Sequence, residues 1–307
     1  MLRFALRRLL AAIPTLLLVI LLAFTLVRIA PGGPFDAERG LPPEVEANIA
    51  RAYHLDEPLP QQFLRYLGGV IKGDFGPSFR YSDYTVSQVI GGALPVSLSL
   101  GALAMLLALL LGLGAGALAA VRPNTLLDRA LMTVAMLGIS VPVFVVAPLL
   151  VLLFAVTLGW LPAGWTSGDN TSRYILPVLA LALPQVAYIA RILRGSLIEV
   201  LASDYVRTAR AQGLTTFRIL VAHALRPALV PVLSHLGPAV VGVLTGSVVV
   251  EQVFGIAGLG QHFVNGALNR DYTLVLGLVI LYAALIILAN LIVDILYGVL
   301  DPRVRTA

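Results

Sequence analysis

The sequence predicts an all-α integral membrane protein with about six transmembrane helices. Of its 307 residues, 59% are hydrophobic and only 12% are charged, and the mean hydropathy is +0.93. Apolar residues make up roughly half of an ordinary soluble domain, so this chain is too apolar to be one. In addition, long apolar runs recur along the chain, and the arginine-rich connections between them all fall on one side of the predicted membrane.

The first predicted span follows a short basic segment. Arg3, Arg7 and Arg8 precede an apolar run from Leu9 to Ile29. A signal peptide is the alternative, but the run exceeds the roughly 7–15 apolar residues of such a peptide and no small-residue cleavage site closes it. Residues 1–30 are therefore interpreted as a cytoplasmic amino terminus followed by the first transmembrane helix.

Residues 31–94 are the only long polar stretch, and they are predicted to form a small extracytoplasmic segment between helices 1 and 2. Acidic residues outnumber basic ones there, as expected on the side of the membrane where arginines are not retained. Two helices are predicted in it, Pro43–Tyr53 and Gln61–Ile71. The segment is too small to build a large core of its own.

Residues 95–307 are predicted to form the transmembrane core. Pro142 and Pro148 are expected to kink its second helix, the third span of the chain. Arginines flank the cytoplasmic ends of the spans, which places both termini in the cytoplasm. The predicted spans are Pro95–Ala120, Ala130–Leu158, Tyr174–Leu193, Ala228–Val250 and Leu274–Leu300.

Small residues recur at four-residue spacing in two of these spans. This spacing places them on one face of a helix, where they allow a second helix to approach closely. The predicted packing positions are Ala104, Ala108, Gly112 and Gly116 in the second span, and Gly242 and Gly246 in the fifth.

The most polar connection of the core is the loop 204–227, which the density of its arginines places in the cytoplasm. Ser203 or Asp204 is a candidate N-cap for a short helix through Gln212, and Gly213 suits the left-handed conformation that ends a helix. A short exposed helix held at both ends is suited to docking in the groove of a partner. Its arginines are Arg207, Arg210, Arg218 and Arg226.

This loop resembles the coupling segment of ABC-transporter permease subunits, whose pattern is Glu-Ala-Ala, three residues, Gly, nine residues and Ile-x-Leu-Pro. With Gly213 on the glycine, Arg207 replaces the Glu, Leu225 matches the late Leu, and Pro227 comes one place late. The Arg-Thr-Ala-Arg-Ala-x-Gly core is similar to that of the peptide-importing branch. The alternative is a solvated basic loop without a partner. The predicted coupling residues are Asp204, Tyr205, Arg207, Thr208, Ala209, Arg210, Gly213, Leu225 and Pro227.

The outer turn between the last two spans, Glu251–Gly260, is rich in glycine. Such a turn permits a tight re-entrant bend, which membranes tolerate where it is buried in protein or lines a cavity. The family has a similar Glu-x-x-Phe and Gly-Leu-Gly segment, and an outer gate of the translocation path is predicted at this turn. An ordinary outer loop is the alternative. The predicted gate residues are Glu251, Phe254, Gly258 and Gly260.

The resemblance extends over the whole chain and is strongest for oligopeptide permease membrane subunits. Its motifs are APGGPF at Ala30–Phe35, GDFGPSF at Gly73–Phe79 and HFVNGALNRDYTLVL at His262–Leu276. It implies a type I ABC importer permease fold in the bacterial inner membrane and oligopeptide import by alternating access. It also implies three kinds of partner: a second homologous permease subunit, two ATPase subunits and an extracytoplasmic peptide-binding protein.

The sequence predicts no cofactor, metal or enzymatic site within this chain. The only lysine is Lys72, so no Gly-Lys-Ser/Thr phosphate loop is present, and ATP and Mg²⁺ are expected to bind to the partner ATPases. The four histidines have no metal-ligand spacing. The net charge of +5 reflects membrane topology rather than nucleic-acid binding.

Two other classes of protein remain as alternatives. An ion-driven secondary transporter usually carries ionisable residues near the middle of the membrane, and Asp294 is the main candidate. However, Asp294 lies in the last turns of the final span. An intramembrane hydrolase is disfavoured because the chain lacks HExxH and GxSxG motifs and paired intramembrane aspartates.

Overall fold

The computed structural model describes residues 2–29, 56–81, 83–165 and 171–300. Within these ranges the chain consists of helices, connecting turns and one isolated antiparallel bridge between Pro77 and Thr85. The predicted helix Pro43–Tyr53 and the motif Ala30–Phe35 lie outside the described residues.

Eleven α-helices follow one another in the described part of the chain. A π-helical segment, Val151–Thr157, continues the fifth, and another, Leu220–Ala224, joins the eighth to the ninth. The helices are α1 (Leu2–Ile29), α2 (Leu59–Ile71), α3 (Val86–Val121), α4 (Leu126–Ser140), α5 (Val143–Leu150), α6 (Ile175–Leu201), α7 (Asp204–Ala211), α8 (Thr216–Ile219), α9 (Leu225–Phe254), α10 (Leu259–Leu268) and α11 (Tyr272–Leu300).

Five helical segments are long and apolar enough to cross a membrane. A sixth span results if α4 and the α5 segment, which are bent by 107° relative to each other, are counted together. The predicted all-α architecture of about six spans is thereby confirmed. The five unbroken spans are Leu6–Ile29, Val86–Val121, Thr171–Leu201, Thr216–Phe254 and Tyr272–Tyr297.

The third span is broken rather than merely kinked. Val141 and Pro142 both have extended backbone conformations, with ψ angles of 121° and 145°. The proline ring disfavours the helical conformation of the residue before it, so the helix ends at Ser140 and restarts at Val143. Pro148, the second predicted kink, lies inside α5.

The second span begins at Val86, so the predicted start at Pro95 is wrong. Thr85 and Gln88 form a reciprocal capping box. The N–H of Gln88 donates to the Thr85 hydroxyl (3.3 Å), and the N–H of Thr85 donates to Gln88 Oε1 (2.9 Å). This pair satisfies two amides that the start of a helix leaves free. Residues 86–94 of the predicted extracytoplasmic segment are thus continuous with the span.

Two further boundaries differ from the prediction. Helix α6 continues to Leu201 instead of ending at Leu193, and the fifth span begins at Thr216 instead of Ala228. Both differences arise because the helices continue beyond their apolar parts into polar sequence. As a result, Leu225 and Pro227 of the predicted loop lie in helix α9.

The described residues form two compact units. The first contains Ser97–Ile256 with the described parts of Met1–Leu9 and Ile286–Ala307, and the second contains those of Leu10–Val96 and Ala257–Leu285. In the first unit, α6 is central and packs against α4 and α9. In the second unit, one core cluster is made of Val86, Ile90, Ala93, Leu259, Leu274 and Leu278.

The small residues predicted as packing positions in α3 are buried, and two of them, Gly112 and Gly116, lie against α6. Ala104 and Ala108 are fully buried. A Cβ atom added to Gly112 would lie 2.8 Å from Ile189 Cβ, and one added to Gly116 would lie 2.6 Å from the Ala190 carbonyl oxygen. Side chains at these two positions would therefore force the two helices apart.

The two glycines of α9 also face α6. A Cβ atom on Gly242 would lie 2.9 Å from Gln185 Nε2, and one on Gly246 would lie 3.1 Å from Leu181 Cδ1. In both cases the nearest atom belongs to a side chain rather than to the backbone of α6. The α9 contact is therefore more adaptable than the contact at Gly116.

Candidate coupling helix and outer turn

Helix α7 begins after Ser203, whose extended backbone occupies the N-cap position. The Ser203 hydroxyl does not cap α7 but donates to the Val200 carbonyl at 2.5 Å, at the end of α6. This bond fixes the sharp connection between α6 and α7. Asp204 lies in the first turn, where a negative charge is favourable for the helix dipole.

Gly213 ends α7 with a φ angle of +81°. Its N–H donates to the Arg210 carbonyl (2.9 Å), and the N–H of Leu214 donates to the Ala209 carbonyl (3.2 Å). These two bonds form a Schellman motif, which requires a left-handed residue where glycine is strongly favoured. The glycine therefore sets the direction in which the chain leaves α7.

One face of α7 packs against α8, and the opposite face is exposed. Val206 and Ala209 are buried in a cluster with Ile219 of α8, and Leu201 and Leu214 pack against this cluster. Ala209 is therefore an anchor of α7 rather than a contact for a partner.

The opposite face of α7 projects from the unit. Tyr205 is 49% exposed, and Arg207 and Arg210 are also exposed. Arg207 forms an ion pair with Asp204 at 3.3 Å, but both side chains are largely exposed, so the pair contributes little to stability. This face presents cationic and aromatic groups to solvent. The other exposed positions of the predicted coupling set are Thr208, Gly213 and Pro227, and Leu225 is half-buried.

The C-terminal end of α9 repeats the motif that ends α7. Gly255 has a φ angle of +65°, and the N–H of Ile256 donates to the Glu251 carbonyl at 2.8 Å. Phe254 is buried, and its carbonyl accepts a 2.8 Å hydrogen bond from the N–H of Trp165. The turn that leaves α9 is therefore fixed by backbone hydrogen bonds.

The Glu251 side chain is fully buried in the first unit. The hydroxyl of Ser97 in α3 donates a 2.7 Å hydrogen bond to Glu251 Oε1. In this conformation Glu251 holds α3 and α9 together and does not present its carboxylate to solvent. The outer gate remains a prediction, and a role of Glu251 in it would be exerted through the position of α9.

Gly258 and Gly260 belong to the second unit. Gly258 is the N-cap of α10 and has an extended backbone, while Gly260 is buried in the first turn of that helix. The sequence did not predict α10, because its ten residues combine small, polar and apolar side chains without a long apolar run. The predicted bend is therefore a tight turn followed by a helix.

Asp271 is a structural residue that the sequence reasoning missed. Its buried carboxylate accepts hydrogen bonds from the Ser78 hydroxyl and from the N–H groups of Phe79 (3.2 Å), Arg80 (3.3 Å) and Leu274 (3.1 Å). It thereby caps α11 and holds the loop 78–80 against that helix. The signal was an aspartate just before an apolar helix, in the NRDY motif.

Two protein-family models match the chain. The family described as "Binding-protein-dependent transport system inner membrane component" matches residues 112–306, and a model of the N-terminal part of such membrane components matches residues 1–101. The chain belongs to this family. It is therefore a multi-pass inner-membrane component of a binding-protein-dependent transport system, which removes the secondary transporter and the hydrolase as alternatives.

Curated members of this permease family are similar over the full length. The oligopeptide transport system permease proteins OppB of Haemophilus influenzae and Salmonella typhimurium are each 56% identical over 305 residues, which cover 99% of this chain and 100% of each relative. The dipeptide transport system permease protein DppB of Bacillus subtilis is 44% identical over 99% of this chain and 98% of its own.

Solved ABC transporters share the fold. The chain aligns with a structure of the inward-facing MetNI methionine ABC transporter with a TM-score of 0.59 and 18% identity, covering 70% of this chain and 97% of that one. An amino acid ABC transporter aligns with a TM-score of 0.51 and 22% identity, covering 71% and 94%. The permease thus has the type I ABC importer fold.

Proposed function

We propose that this chain is a membrane-spanning subunit of an ATP-driven importer that carries oligopeptides across the bacterial inner membrane. The observation that carries the proposal is the 56% identity to oligopeptide permeases over 99% of the chain, compared with 44% to a dipeptide permease. Neither α7 nor the outer turn specifies the substrate, so the peptide assignment depends on this similarity.

The free energy for transport comes from partner subunits. Two ATPases bind ATP and Mg²⁺, and a second, homologous permease completes the membrane pathway. An extracytoplasmic binding protein delivers the peptide. Both termini and the loop 204–227 lie in the cytoplasm, where the exposed face of α7 contacts one ATPase.

The fold supplies a mechanical connection between that contact and the outer turn. Helical structure is continuous from Thr216 to Phe254, 39 residues in all, which corresponds to about 58 Å at 1.5 Å per residue. Helix α7 is anchored to the start of this rod through Val206, Ala209 and Ile219. A displacement of α7 by the ATPase is therefore transmitted along α9 to Glu251 and Phe254.

Uptake of labelled short peptides tests the substrate class. In a strain that lacks other peptide importers, deletion of the gene is expected to abolish peptide uptake and leave uptake of free amino acids unchanged. Expression of the intact chain should restore peptide uptake in this strain. Unchanged peptide uptake in the deletion strain would contradict the proposal.

A further inference from the structure

A groove lies along the seam between α4 and α6 in the first unit. Its volume is about 380 Å³, and it is open on one side. Nothing in the coupling or gating scheme uses it. The groove is lined by Asn124, Asp128, Arg129, Met132, Ala135, Met136, Ile139, Ala187, Arg191 and Arg194.

Contacts at both ends of the groove hold α4 and α6 at a set distance from each other. At one end, the buried Asp128 carboxylate forms a bidentate ion pair with Arg194, with distances of 2.6 and 2.8 Å, and also accepts from the N–H of Asn124 at 2.7 Å. Toward the other end, α4 approaches α6 so closely that a Cβ atom on Gly138 would lie 2.8 Å from the Leu183 carbonyl oxygen. The width of the groove is therefore set by the fold.

The polar end of the groove carries a net positive charge. Asp128 neutralises Arg194, but Arg129 and Arg191 also line the groove, and their side chains are exposed. Among the described residues, neither of these two forms an ion pair with a carboxylate. The described contact of Arg191 is a 3.8 Å approach to the sulfur of Met136, which is a weak acceptor. Two guanidinium groups are thus available to an anion.

The remaining lining is apolar. Met132, Met136 and Ile139 follow one another on one face of α4 and lead away from Arg129, with Met136 beside Arg191. Val134 and Leu137 are exposed on the opposite face of α4 and do not line the groove. A ligand that filled the groove would therefore need an anionic head and an apolar tail.

We propose that this groove binds an anionic phospholipid of the inner leaflet. The phosphodiester lies between Arg129 and Arg191, and an acyl chain follows Met132, Met136 and Ile139. Basic pockets between transmembrane helices on the cytoplasmic side bind anionic lipid headgroups in this way. The proposal needs the α3–α4 connection to lie in the cytoplasm, as its arginines Arg122 and Arg129 predict, but it does not depend on a peptide substrate.

Native mass spectrometry of the purified, assembled transporter tests the site. The preference for phosphatidylglycerol over phosphatidylethanolamine is measured at equal lipid concentrations. Each of Arg129→Gln and Arg191→Gln is expected to reduce this preference about fivefold, because an arginine near a membrane surface is worth about 1 kcal/mol of attraction to anionic lipid. Arg122→Gln is the matched control, since Arg122 is exposed on the same connection but does not line the groove.

A second variant keeps the test independent of the arginines. Ile139→Trp fills the apolar part of the groove at a position with no described contact to either arginine, so it should reduce the number of tightly bound phosphatidylglycerol molecules while both guanidinium groups stay in place. Equal losses in Arg191→Gln and Arg122→Gln would overturn the proposal. So would displacement of the lipid by inorganic phosphate, which would indicate a free-anion site, or a crosslink from this groove to the second permease subunit.

Discussion

The hydroxyl of Ser97 donates a 2.7 Å hydrogen bond to the carboxylate of Glu251, and both side chains are buried. Ser97 lies in α3 and Glu251 lies one turn before the end of α9. The bond therefore connects the C-terminal end of α9 to a neighbouring span. Any movement transmitted along α9 must either preserve this bond or break it.

Ser97→Ala is expected to lower the thermal stability of the transporter and to reduce peptide transport. A hydrogen bond to a carboxyl group contributes about 1–3 kcal/mol, and its loss removes one donor from buried Glu251. Ser97→Thr keeps the hydroxyl and should retain most of both properties. Differential scanning fluorimetry and uptake measurements check this. Equal stability of the alanine and threonine variants would show that the bond is unimportant.

Asp271→Ala is expected to loosen the outer loop at residues 78–80. The substitution removes the acceptor of the Ser78 hydroxyl and of the Phe79 N–H, and a donor left without its acceptor costs about 1–3 kcal/mol where it is buried. The Arg80 N–H loses one of its two acceptors and keeps Ser78 Oγ. Limited proteolysis of the purified protein should become faster at this loop. The exposed Asp83 provides the control, because Asp83→Ala should leave the cleavage rate unchanged. If Asp271→Ala were cleaved no faster than Asp83→Ala, the result would contradict the role of Asp271 in holding the loop 78–80.

Hydropathy and charge alone predicted the number of spans, because each span needs a long apolar run and each cytoplasmic connection carries arginines. They did not predict where helices continue into polar sequence. The start of α3 depends on the Thr85–Gln88 capping box, which lies outside any apolar run. A close reading for the Thr-x-x-Gln pattern would have found it.

The candidate site was predictable to different degrees. The left-handed glycine at the end of α7 was predicted, since few other residues suit a Schellman motif. The burial of Ala209 was not predicted, because it depends on how α7 folds back on α8. The burial of Glu251 was not predicted either, because its partner Ser97 lies 154 positions away in the chain. Asp271 was missed for the same reason: its partners at Ser78 and Phe79 are more than 190 positions away.

Gly116→Ala is expected to destabilise the protein by about 1–3 kcal/mol. The added methyl group would lie 2.6 Å from the Ala190 carbonyl oxygen, so α3 and α6 would have to separate. Gly114 is the matched control in the same helix, because a Cβ atom there has no neighbour within 4 Å. Gly114→Ala should be neutral or slightly stabilising. Thermal unfolding of the two variants measures the difference, and equal midpoints would contradict the close helix contact.

Acidification is expected to destabilise the second unit through His262. Burial lowers the pKa of His262 from its ordinary value of about 6.5. The unfolded state therefore binds the proton first, so stability is fully present above about pH 6.5 and declines as the pH falls below that value.

Unfolding midpoints at neutral pH and below pH 6.5 check this prediction. His262→Phe should reduce the loss of stability on acidification, since Phe keeps the edge contact with the Tyr81 ring but cannot bind a proton. Replacement of the exposed His223 is the control. An unchanged pH dependence in His262→Phe would contradict the assignment.

The central claim is that α7 couples ATP hydrolysis in a partner to transport through this chain. The most direct measurement is the ATPase rate of the assembled transporter in proteoliposomes, with and without peptide and binding protein. Gly213→Val places a β-branched residue at a φ angle of +81°, where it is strained, and is expected to change the direction of α7 relative to α8. Gly213→Asn is the control, because asparagine tolerates that conformation. The account predicts that both variants insert normally, that the valine variant loses peptide-stimulated ATPase activity and transport together, and that the asparagine variant keeps both. Normal stimulation in Gly213→Val would contradict it.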